Sequence, residues 1–600
     1  MESFTLTTTT IPTISNTFFP KTSQLSLSRC QTRHASPKIS CKATKNDDEN
    51  PRKIHEDKTI ANKKLDRRNM LIGLGGLYGA ATALGSDPTT LAAPITAPNI
   101  AQCGPADLPQ DAQGDHNCCP PVAQNIIDFT LPPTPATLKV RPAAHSVDNE
   151  YLQKFNRAIS LMKALPDTDP RSFSQQAKVH CAYCDGGYNQ VGFPNLDLQV
   201  HGSWLFLPFH RCYLYFFERI LGNLINDPTF AMPFWNWDNP AGMQMPAIYA
   251  DRNSPLYDSE RDGPHQPPTL VDLNFDGEDT DMSTDDLTTA NLTVMYRQMV
   301  SNAKTARLFL GQPYKAGGSP RGGGSLENVP HGPVHIWTGD RNQPNTEDMG
   351  NFYSAARDPI FYAHHSNIDR MWSIWKTLGA NRVEFTDSDW LDASFVFYDE
   401  NAQAVKIRVR DCLDTKKLGY TYQDVDLPWL NSQPTPKRSR IATLFSKLKP
   451  AKATTHPPST STSPVKFPKP LDSTLKIDIQ RPKKSRSKKE KKLQEEVLVV
   501  EVELQSDVFV KFDVYVNDED DVPLKKTIVK TEYAGSFANV PHKHKHKKEH
   551  RKMKTTLRLG LTDLIEDLGA DDDDGVMVTL VPRSGKEVTI IKDVKIEFAS

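Results

Sequence analysis

The sequence predicts a mainly α domain built on a four-helix bundle, then a linker, then an all-β sandwich domain. Three observations carry this. Between residues 150 and 372, histidines and large apolar residues recur at helical spacing. From Asn431 to about Glu495 the chain turns to Pro, Ser, Thr, Lys and Arg with few large apolar side chains. Beyond it, Val497–Leu504, Val508–Val516 and Glu587–Phe598 alternate or run apolar, separated by turn and acidic segments.

Six hundred residues with 38% hydrophobic content can bury a large core split over two domains. A net charge of -1 argues against nucleic acid as a partner. Lys and Arg do crowd into residues 480–495, where a solvated segment is the simpler reading. No apolar run is long and clean enough for a stable membrane span. Residues 1–60 are rich in Ser and Thr, with Glu2 the single acid among the first forty, as in an organellar transit peptide. Residues 61–93 carry Arg67-Arg68, a short Gly-rich apolar run and Leu91-Ala92-Ala93, as in a twin-arginine transfer segment cut near Ala93. Two addresses in series are similar to those of plant thylakoid-lumen proteins, so residues 1–93 are expected to leave the mature fold.

The main domain is expected over residues 94–430. Five of the nine cysteines fall between Cys103 and Cys184, which implies disulfides and an oxidising destination. Cys118 and Cys119 are adjacent and each needs a distant partner. Cys103 with one of them and Cys181 with the other is the economical pairing. A zinc site is the alternative, but no pair of CxxC doublets is present.

Tyr151, Phe155, Ile159 and Met162 mark an amphipathic helix over 150–165. His180 and Cys184 follow. His201 and His210 are nine apart and cannot share a helix face, and Pro208 fits only near a helix start. His201 is therefore expected on a loop and His210 in the first turns of a helix running to about Leu221. Residues 250–325 read as largely irregular, and Asn291-Leu292-Thr293 is a sequon that a chloroplast route leaves unmodified. His331 and His335, four apart, lie on one helix face. Asp358-Pro359 starts the next helix, which carries His364 and His365. Lys406–Arg410 alternates like a strand. Residues 431–495 are the expected flexible linker and 496–600 the β-rich domain. Within it His542, His544, His546 and His550 sit among lysines, whose charge repels a cation, so an exposed loop is expected.

His180, His201 and His210 form one group and His331, His335 and His365 another. An all-imidazole set suits copper, iron or zinc, and three ligands per ion leave positions open for a substrate. Two such groups on two helix pairs suggest two ions facing each other within the bundle. On this reasoning alone copper stands level with zinc or di-iron.

The wording of the motifs goes further. His180-Cys181-Ala182-Tyr183-Cys184, Pro208-Phe209-His210-Arg211, Pro330-His331-Gly332-Pro333-Val334-His335 and Asp358-Pro359 through Trp372 closely resemble plant polyphenol oxidases. These are catechol oxidases, kin of tyrosinases and haemocyanins in the type 3 copper family. Asp389-Trp390-Leu391, Tyr420-Thr421-Tyr422, Lys511-Phe512-Asp513-Val514 and the two-part address extend the likeness over nearly the whole chain.

The resemblance implies two copper ions per chain, one on His180, His201 and His210, the other on His331, His335 and His365. Of the pair His364 and His365, the family uses the second. Asp369, four residues on, is then a candidate for orienting an imidazole, or else an ordinary surface carboxylate. Cys184 would be joined to His201 by a thioether, and Cys103–Cys119 and Cys118–Cys181 would be the disulfides. Phe352 would stand over the metals as a gate and Glu327 would hold a water. Read from the sequence alone, those two are a core aromatic and a helix N-terminal acid. Cys212, where the analogy expects an aromatic, reads as a buried thiol.

The implied activity is oxidation of o-diphenols to o-quinones with O2 reduced to water, latent until the β domain is displaced or cut by a protease. Gly332 beside His331 offers no side chain, which leans toward diphenols over monophenol hydroxylation. The implied destination is the chloroplast thylakoid lumen, reached by the twin-arginine translocation machinery. The competing readings are a haemocyanin-like O2-binding protein and a zinc- or disulfide-stabilised interaction protein.

Overall fold

The structure, a computed structural model, describes residues 93–600 apart from positions 110, 134, 380, 435–464, 519–528, 544–551 and 600. The expected targeting segments up to residue 92, the middle of the expected linker, and His544, His546 and His550 lie outside the described residues.

Two short strands come first, β1 (Ile126–Asp128) and β2 (Lys139–Arg141). Asp148 then accepts the Tyr151 amide and starts α1 (Asn149–Ala164), which buries Phe155, Ala158, Ile159 and Met162 along one face. Ser172 caps α2 (Phe173–Cys184) in the same way. The hairpin of β3 (Asn189–Gln190) and β4 (Phe193–Asp197) leads through a loop to α3 (Phe206–Leu224). Pro208 occupies the first turn of α3, where a missing N–H costs nothing.

Residues 250–325 are less irregular than expected. Ser283 caps α4 (Thr284–Met299), whose buried side chains include Asn291, Thr293 and Gln298 among Leu287, Val294 and Met295. Polar residues on the inward face dilute the apolar period and hide the helix. The sequon asparagine is itself enclosed, with Asn291 Nδ2 donating to the Val271 carbonyl at 2.7 Å, so it offers no surface for a glycan.

His331 ends a kinked turn, because Val329 is extended (φ -147°, ψ 127°) between helical residues, and α5 (Gly332–Thr338) follows at once. Asp358 accepts the Ile360 amide at 2.8 Å and pairs with buried Arg261 at 2.6 Å, setting the start of α6 (Ile360–Trp375). After α6 come β5 (Ser394–Tyr398), β6 (Ala404–Arg408) and β7 (Tyr420–Tyr422). β6 pairs with β5 antiparallel and with β1 parallel, and β7 pairs with β2 parallel. Strands ahead of the helices are thus tied to strands behind them. Among the described residues no helix is long and apolar enough to cross a membrane.

The C-terminal region holds two four-stranded antiparallel sheets. Its strands are β8 (Lys469–Pro470), β9 (Leu475–Gln480), β10 (Glu495–Gln505), β11 (Lys511–Val516), β12 (Tyr533–Ala538), β13 (Lys552–Gly560), β14 (Gly575–Ser584) and β15 (Thr589–Ala599). One sheet runs β13-β10-β15-β8 and the other β12-β11-β14-β9. Val500, Leu557 and Ile591 of the first and Ile477, Val514 and Leu580 of the second share one apolar core.

The linker is therefore shorter than residues 431–495. Leu475, Ile477 and Ile479 are the inward positions of a strand, alternating with Lys476 and Asp478, a period of two masked by the Pro-, Ser- and Lys-rich composition around it. The basic run is a short capped helix, α7 (Lys488–Leu493), with Lys484 paired to Asp574 at 2.8 Å and Lys491 to Glu566 at 2.5 Å. The sheets lie against the helical region. Asn302 Nδ2 donates to the Ala534 carbonyl at 2.9 Å, the Gly560 amide donates to Asn302 Oδ1 at 3.0 Å, and Lys304 meets Glu495 at 3.4 Å.

Candidate metal centre

Seven histidines converge where α2, α3, α5 and α6 meet. His180 comes from α2, His201 from the loop after β4, and His210 from the start of α3. His331 precedes α5, His335 lies within it, and His364 and His365 sit on α6. His180, His201 and His210 bring one nitrogen each within 4.8 Å of one another, and His331, His335, His364 and His365 do likewise. The two groups face each other, with His210 stacked on His365 at 4.1 Å and His201 on His331 at 5.8 Å between ring centroids.

The tautomers follow from the outer contacts. Nδ1 of His180 meets the Phe352 carbonyl at 2.9 Å, His210 that of Phe206 at 2.8 Å, His331 that of Glu327 at 3.2 Å, and His335 that of Met349 at 2.7 Å. Nδ1 of His201 meets Gln199 Oε1 at 3.2 Å. Each oxygen can only accept, so five rings carry their proton on Nδ1 and turn a bare Nε2 inward. Nε2 of His180, His201, His210 and His331 has no hydrogen-bond partner although buried. His335 Nε2 meets only His365 Nε2, at 3.2 Å. His364 differs, because Trp237 donates its indole N–H to His364 Nδ1 at 3.2 Å, which puts the ring proton on Nε2.

Burial pushes the imidazoles down first, to about 4 at His335, against the Met349 carbonyl and Asp358, and to about 3 at His180, where the neighbouring His335 ring adds to it. His201, His210, His331 and His365 fall well below their ordinary value for the same reasons. A buried, uncharged cluster of inward lone pairs without donors fits a cation, and its all-nitrogen character fits copper, iron or zinc.

Aromatic rings close the site. Phe206 lies 4.7 Å from the His210 ring and 4.6 Å from His331, and Phe361 lies 4.9 Å from His180 and 4.2 Å from His365. Phe352 stacks on His201 at 3.9 Å. Glu327 is buried at the cluster's edge, where Oε1 accepts the Gly202 amide at 2.5 Å and Oε2 has no partner. Burial raises its carboxyl to about 8, against the opposing pull of the Gly202, Gly324 and Ser203 amides. A cation alongside would pull it back down.

Sequence reasoning missed Gln199, whose Oε1 accepts from the His201 amide at 2.9 Å while Nε2 donates to the Cys184 carbonyl at 2.8 Å. It ties the loop ligand to α2, and only its place two residues before His201 hinted at this. Cys184 is buried there, and the bridges Cys103–Cys119 and Cys118–Cys181 anchor the N-terminal coil to α2. Cys212 is a buried thiol, pushed up by burial and by Cys412 beside it.

Asp369 neither orients an imidazole nor lies on the surface. It is buried, pairs with Arg211 at 2.5 Å, and accepts from Tyr420 at 2.6 Å and Tyr422 at 2.5 Å. Tyr420-Thr421-Tyr422 is thereby bonded to α6.

The β region closes over the site. His542 stacks on Phe352 at 4.9 Å, and Ala538 lies 3.7 Å from where a Cβ on Gly332 would stand. His542 is buried, contrary to the exposed loop expected for its cluster. A cavity of about 640 Å3 remains between the regions, lined by His201, His331, Glu327, Phe352 and Arg321 on one side and by His542, Lys554 and Lys592 on the other.

Comparison with known proteins agrees with this layout. The common central domain of tyrosinase matches residues 170–378, the polyphenol oxidase middle domain 384–435, and the chloroplastic polyphenol oxidase C-terminal domain 467–598. A chloroplastic polyphenol oxidase of Malus domestica is 58% identical over 614 residues, covering 100% of each chain. A solved structure of latent apple tyrosinase covers 79% of this chain and 100% of its own, with 61% identity and a TM-score of 0.73. One of an active aurone synthase, described with a copper B site, covers 56% of this chain and 100% of its own, with 47% identity and a TM-score of 0.54. With its central, middle and C-terminal domains each matched, and its imidazoles arranged as above, this chain belongs to the plant polyphenol oxidases, copper enzymes of the tyrosinase family.

Proposed function

We propose that this enzyme oxidises o-diphenols to o-quinones, with O2 reduced to water, at two copper ions. His180, His201 and His210 would hold one, and His331, His335 and His365 the other. The observation that carries the reading is the set of inward Nε2 atoms on His180, His201, His210, His331 and His335, each with its Nδ1 fixed by an oxygen. His365 is preferred to His364 because its Nε2 lies 3.2 Å from His335 Nε2 among the converging nitrogens, whereas the Trp237 indole holds His364 by its Nδ1. The copper pair, when bound, supplies the two-electron redox chemistry that links a diphenol to dioxygen.

The protein's residues supply the rest. Glu327, held through Oε1, would use Oε2 to keep a water that accepts the phenolic proton. Phe352, stacked on His201, would set the face on which an aromatic ring lies, and Phe206 and Phe361 keep bulk water away. A thioether between Cys184 and the His201 ring is supported by the shared anchor Gln199, and would restrain a ligand that no helix holds. The reading takes α2, α3, α5 and α6 as a four-helix bundle over residues 94–430, and the paired sheets as a sandwich that shields it.

Latency is supported by the stack of His542 on Phe352 and by the difference between the latent apple relative and the shorter active aurone synthase. The apple relative's description as a tyrosinase favours monophenol hydroxylation as a second reading. Gly332, with no side chain to hold a base beside His331, weighs toward diphenols. The chloroplastic names of relatives and the paired N-terminal addresses support delivery to the thylakoid lumen by the twin-arginine machinery, with a lumenal protease cutting the linker. Oxygen uptake with 4-methylcatechol and with 4-methylphenol, before and after limited proteolysis, tests this. Uptake with the diphenol should rise on cleavage, and none with either phenol at any stage would overturn it.

A further inference from the structure

Arg321 belongs to the loop that frames the entrance to the histidine cluster. The Gly322 amide donates to the Gly202 carbonyl at 2.8 Å, so the loop is pinned to the residue after His201. On its other side a Cβ on Gly323 would stand 2.5 Å from Glu327 Oε2. Gly202 itself has φ +67°, and a Cβ there would meet Pro320 at 3.3 Å. The backbone on both sides of Arg321 is therefore held against the site, while its side chain is exposed and lines the cavity that contains His201, His331 and Phe352.

The other charges around this cavity are engaged or lie on the cover. Glu501 pairs with Lys595 at 3.0 Å, and Lys592 meets Glu503 at 3.6 Å. Lys554 and Lys592 both belong to the β region and depart with it. Asp197 lines the same wall but already has a partner of its own. Among the described residues no carboxylate pairs with Arg321. Once the β region is displaced, Arg321 is the cation that remains among the described residues lining this cavity.

We propose that Arg321 is a specificity-determining residue that binds the carboxylate of acidic catechols, meaning o-diphenols whose ring bears a carboxylate on a short side chain. The inference rests on the diphenol reading above. A guanidinium recognises a carboxylate through paired N–H donors, and a fixed loop lowers the cost of placing it. A ring lying between Phe352 and His331 would direct its far substituent outward, toward this rim. Neutral catechols make no use of the contact.

The test compares kcat/KM for 3-(3,4-dihydroxyphenyl)propanoate and for 4-methylcatechol in the full chain before and after limited proteolysis, for the wild type, Arg321→Gln and Arg321→Lys. Binding of 3-phenylpropanoate, which has no hydroxyl to oxidise, is followed by calorimetry. In Arg321→Gln the acidic catechol should lose about 3–10-fold through KM while 4-methylcatechol changes by less than about twofold. Arg321→Lys should recover part of the loss, the preference should shrink as salt is raised, and 3-phenylpropanoate should bind more weakly to Arg321→Gln. An acid-to-neutral ratio of kcat/KM in Arg321→Gln equal to that of the wild type overturns the proposal. That result leaves the diphenol reading standing, whereas absence of uptake with 4-methylcatechol in the wild type removes both.

Discussion

The Asp513 cluster of the β region and the histidine cluster of the helical region both bury polar groups, and they treat them in opposite ways. In the β region, Asp513 is enclosed with Lys511 at 2.8 Å, Arg583 at 2.6 Å and Ser536 at 2.5 Å, and Arg481 meets Glu496 at 2.8 Å. At the histidine cluster, the bare Nε2 atoms of His180, His201, His210 and His331 have nothing to bond. A matched buried charge fixes a structure, whereas a converging set of unmatched lone pairs costs folding energy and marks a place kept for something else. Lys511-Phe512-Asp513-Val514 is thus a structural signature, and the histidine motifs are chemical ones.

Removing one member from each region should give opposite outcomes. His331→Ala takes away a ligand and should lower diphenol oxidation by more than about 100-fold, since loss of a residue that only supports a ligand already costs about 10–100-fold. Its denaturation midpoint should change little. Asp513→Ala should leave Lys511 buried without its counter-charge and destabilise the β region by about 3–5 kcal/mol in chemical denaturation. Basal oxygen uptake should then rise, because the cover loosens. A stable Asp513→Ala protein with unchanged basal uptake would break the comparison.

Gln199→Ala sharpens it from the middle, since Gln199 bonds fully yet serves the unmatched set. We expect about a 10–100-fold loss of copper affinity or activity, read by metal titration. Acid gives a smaller effect. Burial pushes the Asp513 carboxyl up, but Lys511, Arg583 and Ser536 outweigh it and hold the group below its ordinary 3.8. The unfolded chain then binds the proton more readily than the folded one. The stability from Asp513 is complete above pH 3.8 and is lost as pH falls further, so the β region should loosen there, seen as rising basal uptake measured after return to neutral pH. The smallest effect is expected from His542→Ala, where loss of the stack on Phe352 removes about 1 kcal/mol of the hold on the cover.

Much of this was legible in the sequence because local rules and the final fold agree. Pro208 placed His210 at a helix start, the nine-residue spacing put His201 on a loop, and period-two runs gave β10, β11 and β15. The failures have two causes. In α4 the partner that makes a polar residue inward comes from distant chain, as Val271 does for Asn291, while the Leu475, Ile477 and Ile479 alternation of β9 is lost in its basic, Pro-rich surroundings. Spacing from His365 suggested Asp369 as its support, but Arg211 and two tyrosines far along the chain claim that carboxylate. Nothing near Gln199 announces that it joins Cys184 to His201.

The copper content of the purified, reconstituted full chain tests the central claim most directly. Two facing sets of imidazoles predict about two ions per chain, falling to about one in His331→Ala while the first set keeps its own. Less than about one copper per wild-type chain, or the same content in His331→Ala as in the wild type, would contradict the account.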